Sequence, residues 1–296
     1  MKERTLVIVR GAGDLATGTI IKLVKSGYGV IALEVEAPAA IRRSVAFSEA
    51  VYAGKQQVED VSGVLASDLW EAQELARKGI LAILVDPAGA CIGALRPAAV
   101  VDAILAKRNL GTNRLMAPCT VALGPGFTAG VDVDVVIETK RGHDLGRLIY
   151  EGGAAPNTGI PGMIAGYGAK RVIHAPAAGR LRACAQIADS VEEGAVIAVI
   201  EPEPFVEASG LLSGEGVEAT GVAKHVKVQE PVPVHAGLTG LLRGLIRDDY
   251  PVTEGMKIAD IDPRAEEYDN CFKVSDKARC IAGGVLEALL HAGVLP

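Results

Sequence analysis

An internal duplication constrains the fold of this chain more than any other feature. Residues 174–202, HAPAAGRLRACAQIADSVEEGAVIAVIEP, align without a gap with residues 235–263, HAGLTGLLRGLIRDDYPVTEGMKIADIDP, at a constant offset of 61. Twelve of the 29 positions are identical, among them His174/His235, Gly179/Gly240, Leu181/Leu242, Arg182/Arg243, Gly194/Gly255 and Ile200/Ile261. Each copy reads as strand, turn at glycine, strand, turn at V-x-E-G, strand. A single copy cannot bury its own apolar face, so the two are expected to close on one another.

The residues before the duplication follow a different rule. LVIVR (6–10) is a buried-strand run, and after a glycine cluster Ala16, Ile20, Leu23 and Gly27 mark one face of a helix. YGVIALEVE (28–36) reads as a second strand, LASDLWEAQELARKG (65–79) as a helix, ILAILVDP (80–87) as a strand halted by proline, and VALGPG (121–126) as a strand. RPAAVVDAILAKRN (96–109) reads as a helix with proline in its first turn. VDVDVVIET (131–139) alternates valine with acid, as an edge strand with one wet face would. Strands alternating with helices argue for an α/β domain with a Rossmann-like, doubly wound parallel sheet. The expected organisation is a nucleotide-binding domain at 1–139, a glycine-rich connector at 140–168, a β-rich duplicated domain at 169–264 and a closing helix at 265–296. That helix, capped by Ser275, needs a surface for Ile281, Val285 and Leu289; Gly283 and Gly284 either weaken it or permit close backbone contact.

The glycine cluster carries the candidate site. Gly11, Gly13, Ala16 and Gly18 fit G-x-G-x-x-A between a strand and a helix. In such a turn one glycine makes the bend, the next admits a pyrophosphate, and free N–H groups at the helix start favour an anion. The ligand therefore needs the space over Gly11 and Gly13 to be free of side chains such as Leu15. Asp14 stands where it could cap the helix, competing with a phosphate unless it points away. Glu34 and Glu36 follow Gly11 by 23 and 25 residues, where either could accept a ribose 2′-OH, which favours NAD over NADP. The cofactor-binding candidates are thus Gly11, Gly13, Asp14, Gly18 and Glu34. Asp86, Glu36 and Asp14 are candidate acid–base groups, and Cys119 is the best-placed thiol. The basic residues Lys140, Arg141, His143 and Arg147 could attract an anionic cofactor or simply be solvated.

The excluded classes follow from charge and cysteine spacing. Net charge is −6 with no basic run, which disfavours nucleic acid. No apolar stretch approaches the roughly 20 residues of a membrane span, so a cytoplasmic protein is expected. None of the five cysteines forms a C-x-x-C pair, so no cysteine-based metal site is expected, and the thiols are expected to be reduced. His174 and His235 occupy equivalent positions and either pair or satisfy local backbone groups.

The duplicated unit resembles the barrel-sandwich fold of biotinyl and lipoyl carrier domains. In those, a modified lysine sits at a tight hairpin after the first half. Here that place reads EPEPFVEASGLLSGEG (201–216), long and without lysine, so covalent biotin or lipoate is not expected. VIVRGAGDLATG (7–18), VAFSEAVYAG (45–54), LGPGFTAGVD (123–132), ETKRGHDLGR (138–147), PNTGIPG (156–162) and IADIDPR (258–264) together resemble the YqeB-like accessory-protein family of selenium-dependent molybdenum hydroxylase systems. The resemblance implies a role in maturing hydroxylases of the xanthine dehydrogenase type, with a molybdenum hydroxylase or its maturation factors as partners. The first domain is also similar to XdhC-like maturation factors, which carry histidine after the glycine pair where this chain has Asp14. The expected function is an accessory protein that holds NAD or molybdopterin dinucleotide and docks a client. The alternative is an enzyme, an NAD-dependent oxidoreductase or a sulfur/selenium transferase. Catalytic residues and a homo-oligomeric state stay open.

Overall fold

The computed structural model describes residues 4–157, 166–203, 205–206, 226–227 and 230–296. The PNTGIPG motif falls mostly outside these residues, as does most of the segment after the first repeat.

The amino-terminal half builds one large sheet. Its strands are β1 (Leu6–Arg10), β2 (Gly29–Glu34), β3 (Lys55–Val58), β4 (Val61–Leu65), β5 (Leu81–Val85), β6 (Ala99–Asp102), β7 (Cys119–Leu123), β8 (Val135–Ile137) and β9 (Leu148–Ile149). They lie in the order β3-β4-β5-β2-β1-β6-β7-β8-β9. From β4 to β8 neighbours run parallel, while β3 and β9 add antiparallel edges. The order reverses beside β1: β2 lies on one flank and β6 on the other, so a crevice opens beyond their carboxyl ends.

Helices cover both faces. On one, α1 (Asp14–Lys25) packs with α5 (Asp276–His291) over Val7, Val9, Val101, Val121 and Ile137. On the other, α3 (Leu69–Arg77) and the single turn α4 (Ile92–Leu95) cover Ile8, Ile31, Leu84 and Val100. A further turn, α2 (Ala50–Ala53), leads into β3. The β-branched residues of the central strands are apolar on both faces because both are buried. The amino-terminal ends of α3 and α5 follow from local chemistry. Asp68 accepts the Glu71 N–H and Ser275 accepts the Ala278 N–H, each closing an N-cap.

Two local expectations are corrected. The segment 96–109 is not a helix: Ala99–Asp102 is the central strand β6, every residue of it buried. Its Val100 and Val101 point to opposite faces of the sheet, and the helical spacing with Ile104 and Leu105 arises from the loop that follows. The stretch 131–139 is not an edge strand either. Only Val135–Ile137 forms a strand, all three are buried, and β9 covers the edge; Val133 makes an isolated bridge to Ala129.

The carboxyl-terminal half forms two four-stranded antiparallel sheets. Their strands are β10 (Val172–His174), β11 (Gly179–Ala183), β12 (Ser190–Val191), β13 (Val196–Glu201), β16 (Val232–His235), β17 (Gly240–Leu245), β18 (Pro251–Val252) and β19 (Lys257–Asp262); β14 (Phe205–Val206) and β15 (Val226–Lys227) pair separately. The sheet orders are β10-β19-β17-β12 and β16-β13-β11-β18. Exchanging each strand for its partner at the 61-residue offset turns one order into the other. Every sheet therefore contains strands of both repeats. The identical pairs Ala175/Ala236, Leu181/Leu242, Val191/Val252, Ile197/Ile258, Ala198/Ala259 and Ile200/Ile261 all enter one core cluster. The identical glycines are explained too: a Cβ at Gly179 would stand 2.3 Å from Glu201 O, and one at Gly240 2.2 Å from Asp262 O. Among the described residues, no helix is long and apolar enough to cross a membrane.

The two halves meet through the loop after β2. Arg43 Nε donates to Leu245 O at 2.7 Å, Arg247 pairs with Glu49 at 2.8 Å, and Tyr250 Oη donates to Ala37 O at 3.1 Å.

Candidate functional site

The site begins at the end of β1. Gly11 has φ of +93°, and its N–H donates to Leu33 O at 2.7 Å. A Cβ there would come 3.0 Å from Ala103 O on the neighbouring crossover, so the turn requires glycine. Gly13 is the N-cap of α1 without a side-chain cap, and a Cβ on it would meet nothing within 4 Å. Beyond it lies a cavity of about 510 Å³, within the size range of small-molecule sites. Leu15 lines this cavity rather than filling it, alongside Gly11, Gly13, Glu34, Ser48 and Lys257.

Three of the expected site residues play other parts than anticipated. Asp14 does not cap the helix. Both its oxygens lie 3.1 Å from Arg42 Nη1, while Arg42 Nη2 donates to Asn270 O and Lys273 O. The carboxylate is thereby drawn off the helix axis. Glu34 is held by the turn itself: its Oε2 accepts the Ala12 N–H at 2.8 Å and its Oε1 the Val35 N–H at 2.9 Å. Burial pushes its carboxyl up from the ordinary value, against the pull of those two N–H groups. Gly18 stands apart from the cavity. A Cβ there would be 2.8 Å from the Cβ and O of Ala278, so this glycine serves the contact of α1 with α5. Glu36 is exposed and does not line the cavity.

The structure adds residues that spacing could not reach. Ala12 O accepts the Ser48 N–H at 2.9 Å, and Thr17 Oγ1 accepts the Phe47 N–H at 3.1 Å, so VAFSEAVYAG clamps the glycine turn. Ser48 lines the cavity, and its hydroxyl is buried with no hydrogen-bond partner among the described residues. Lys257 reaches the same cavity from β19 of the second half. Among the described residues, no acceptor lies on the N–H groups of Asp14, Leu15 or Ala16. The cavity therefore presents unpaired donors from the helix start and a lysine, with two half-buried carboxylates, Asp14 and Glu34, at its rim.

The other candidates lie elsewhere. Asp86 accepts from Ala90 N at 3.0 Å and Cys91 N at 2.8 Å. Burial pushes its carboxyl up, but hydrogen bonds from Cys91, Ala90 and Gly89 outweigh burial and hold it below its ordinary value. This carboxylate is committed to its own turn. Cys119 is buried, and burial with the Asp134 charge pushes its thiol up to about 11. Burial and Asp86 push the Cys91 thiol up to about 12. Neither has the accessible thiolate of a reactive cysteine. With a disulfide reagent near neutral pH, Cys184 and Cys280, both exposed, are expected to react in a fast phase, and Cys91, Cys119 and Cys271 only after unfolding. A fast phase that includes Cys119 contradicts this assignment. His235 Nδ1 sits 2.8 Å from Gly194 O, and His174 lies in register with Lys257 on β19. Among the described residues, no group of three or more His, Cys, Asp or Glu could hold a metal ion.

No family model matches the chain. It is 48% identical over 292 residues to the uncharacterized protein YqeB of Escherichia coli (strain K12), a match covering 98% of this chain and 48% of that protein. The chain thus spans about half the length of the curated relative it matches. Among solved structures, the ectoine utilization protein EutE (DoeB) from Ruegeria pomeroyi aligns at 12% identity, covering 88% of this chain and 85% of that one, with a TM-score of 0.25. A succinylglutamate desuccinylase/aspartoacylase from Rhodobacter sphaeroides aligns at 12% identity over the same shares, with a TM-score of 0.26. Superposition at that level carries no functional argument.

Proposed function

The chain belongs to the family of Escherichia coli YqeB, and on that premise we propose that it is a cytoplasmic accessory protein in the maturation of selenium-dependent molybdenum hydroxylases. Its amino-terminal half is a Rossmann-like domain holding a dinucleotide-type ligand, NAD or molybdopterin dinucleotide, over the glycine turn. The paired four-stranded sheets are a barrel-sandwich-like module that docks the client hydroxylase or one of its maturation factors.

The observation that carries this reading is the open cavity above Gly13, with the unpaired amides of α1 at one end and Ser48, whose hydroxyl is buried and unpartnered, in its wall. A buried hydroxyl with no partner costs free energy, which a ligand oxygen would recover. The amides of α1 supply the anion-binding end, and Asp14 is held off them by Arg42. Calorimetric titration with NAD, ADP and a pterin dinucleotide tests it. One of them is expected to saturate, and Ser48→Ala is expected to weaken it about tenfold while leaving the fold unchanged. Binding by none of the three removes the reading.

One observation favours an enzymatic alternative. Glu34, with its carboxyl pushed up, is the cavity's acid–base group and the one an NAD-dependent oxidoreductase would use. The sulfur/selenium transferase alternative has no such support, because Cys119 is buried.

A further inference from the structure

A second cavity, of about 390 Å³, lies on the other side of the Asp14–Arg42 pair. Arg42 ties the two together: it holds Asp14 of the first and the carbonyls of Asn270 and Lys273, which line this second space. The cations Arg141, Arg243, Arg264 and Lys273 line it together with the carboxylates Asp262, Glu267 and Asp276.

The two repeats show which charge is spare. In the first, Arg182 on β11 is satisfied: its Nε lies 2.8 Å from Glu201 Oε2, and its Nη1 2.8 Å from Asp249 Oδ1. At the 61-residue offset Arg182 becomes Arg243, Glu201 becomes Asp262, and Glu203 becomes Arg264. That last exchange reroutes the bonding. Arg264 takes both oxygens of Asp262, at 2.9 and 2.8 Å, and pairs with Glu267 at 3.0 Å. Arg141 takes both oxygens of Asp276, at 2.7 and 2.8 Å. All three carboxylates of the cavity are therefore engaged by other guanidinium groups. Arg243 is left with Asp260 at 3.6 Å, a carboxylate that Arg171 also approaches at 3.3 Å. Among the described residues the Arg243 guanidinium makes no hydrogen bond, although its side chain is only 17% exposed. Burial, and then the Arg42 charge, push it below the ordinary guanidinium range. Lys273 adds a second loosely held cation, 3.4 Å from Asp269.

We infer that this cavity is a binding site for a phosphate-class oxyanion, free or carried on a small molecule, with the Arg243 fork as its principal receptor. A guanidinium with no hydrogen-bond acceptor, half desolvated and beside another arginine, is an unfilled bidentate receptor. Lys273 lines the same cavity from a different element, and the added positive charge favours a phosphate over a singly charged carboxylate. The site is separate from the glycine turn, and the dinucleotide reading does not depend on it.

The experiment is a calorimetric titration of the full chain at low ionic strength with inorganic phosphate, pyrophosphate and acetate, in parallel with thermal unfolding. Wild type is expected to bind phosphate or pyrophosphate saturably. Arg243→Gln is expected to lower that affinity at least about tenfold, as loss of a charge-assisted bidentate pair does. The equivalent change in the first repeat, Arg182→Gln, is expected to leave it within about twofold, as a surface pair outside the cavity should. If Arg243→Gln does not fold, Arg243→Lys takes its place and is expected to weaken binding while shifting the preference from pyrophosphate toward phosphate, because a point charge replaces a fork. Absence of saturable binding, equal affinity across wild type and both glutamine variants, or acetate binding as tightly as phosphate overturns the assignment.

Discussion

Asp102→Ala is expected to lower the unfolding free energy by about 3–5 kcal/mol, measured by urea denaturation. Asp102 ends β6 and Arg10 ends β1, side by side at the point where strand order reverses, and each is 2% exposed. The carboxylate accepts the Thr112 hydroxyl at 2.5 Å and the Ile104 N–H at 3.1 Å, and lies 3.7 Å from Arg10 Nη1. Arg10 in turn donates to Thr112 Oγ1, to Pro87 O at 3.1 Å and to Leu110 O at 3.4 Å. Truncating Asp102 leaves the Arg10 charge without its counter-ion, and the Thr112 hydroxyl and the Ile104 N–H without their acceptor. The attraction itself is not what stabilises the pair. Burial pushes the Asp102 carboxyl up by more than Thr112, Ile104 and Arg10 pull it down, so desolvation exceeds the Coulombic gain. The double variant Arg10→Met/Asp102→Leu is therefore expected to recover most of the loss. If the double variant is as unstable as Asp102→Ala, the ion pair contributes more than its geometry implies.

That pair also marks where the sequence stopped being readable. The central strands β1, β2 and β5 were plain because fully buried, β-branched runs ended at glycine or proline. β6 was not. Its AVVD lies between a proline and an apolar loop, and a four-residue apolar run has no period that separates strand from helix. Asp102 was hidden in that misread helix, and no local pattern tied it to Arg10 at the end of β1. The duplication was readable because its identities fall where both copies bury the same side chains. The strand exchange between the two sheets was not, since pairing partners are set by packing rather than by local pattern.

The glycine turn shows the same division. Gly11 and Gly13 announced themselves through strand, bend and helix, all local. Ser48 was visible only as part of a motif, because its place over the turn depends on the loop that follows β2 folding back to hold Ala12 and Thr17. Lys257 comes from the other half of the chain. Asp14 pointed away from the amides for a reason 28 residues distant, the guanidinium of Arg42. Arg243 was legible as one of the identities of the repeat, but its lack of a hydrogen-bond acceptor depends on what Arg264 does to Asp262.

Gly283 and Gly284 of α5 are expected to respond to alanine with opposite signs. In a solvated helix, either substitution should stabilise by about 1 kcal/mol, because glycine forfeits backbone entropy on folding. Gly283 is exposed, and a Cβ there meets nothing within 4 Å, so Gly283→Ala is expected to show that full gain. Gly284 faces inward. A Cβ on it would stand 2.2 Å from Gly146 O and 3.2 Å from Ile137 Cγ2, between a backbone carbonyl and a buried side chain. Gly284→Ala is expected to cost about 3 kcal/mol, the upper end of overpacking penalties, because the obstacle is a carbonyl rather than the end of a flexible side chain. Gly18→Ala, which pushes against Ala278 from the facing helix, is expected to move stability in the same direction as Gly284→Ala. Thermal unfolding of the three single variants and of Gly18→Ala/Gly284→Ala is the measurement. The pair should be at least additive, since Ala278 and Gly284 point about 120° apart around α5 and a displacement that relieves one contact presses the other. A stabilised Gly284→Ala would mean that α5 does not lie against Gly146. It would then leave the apolar face of α1 without its cover, and the helix that begins at the glycine turn without the packing that holds it in place.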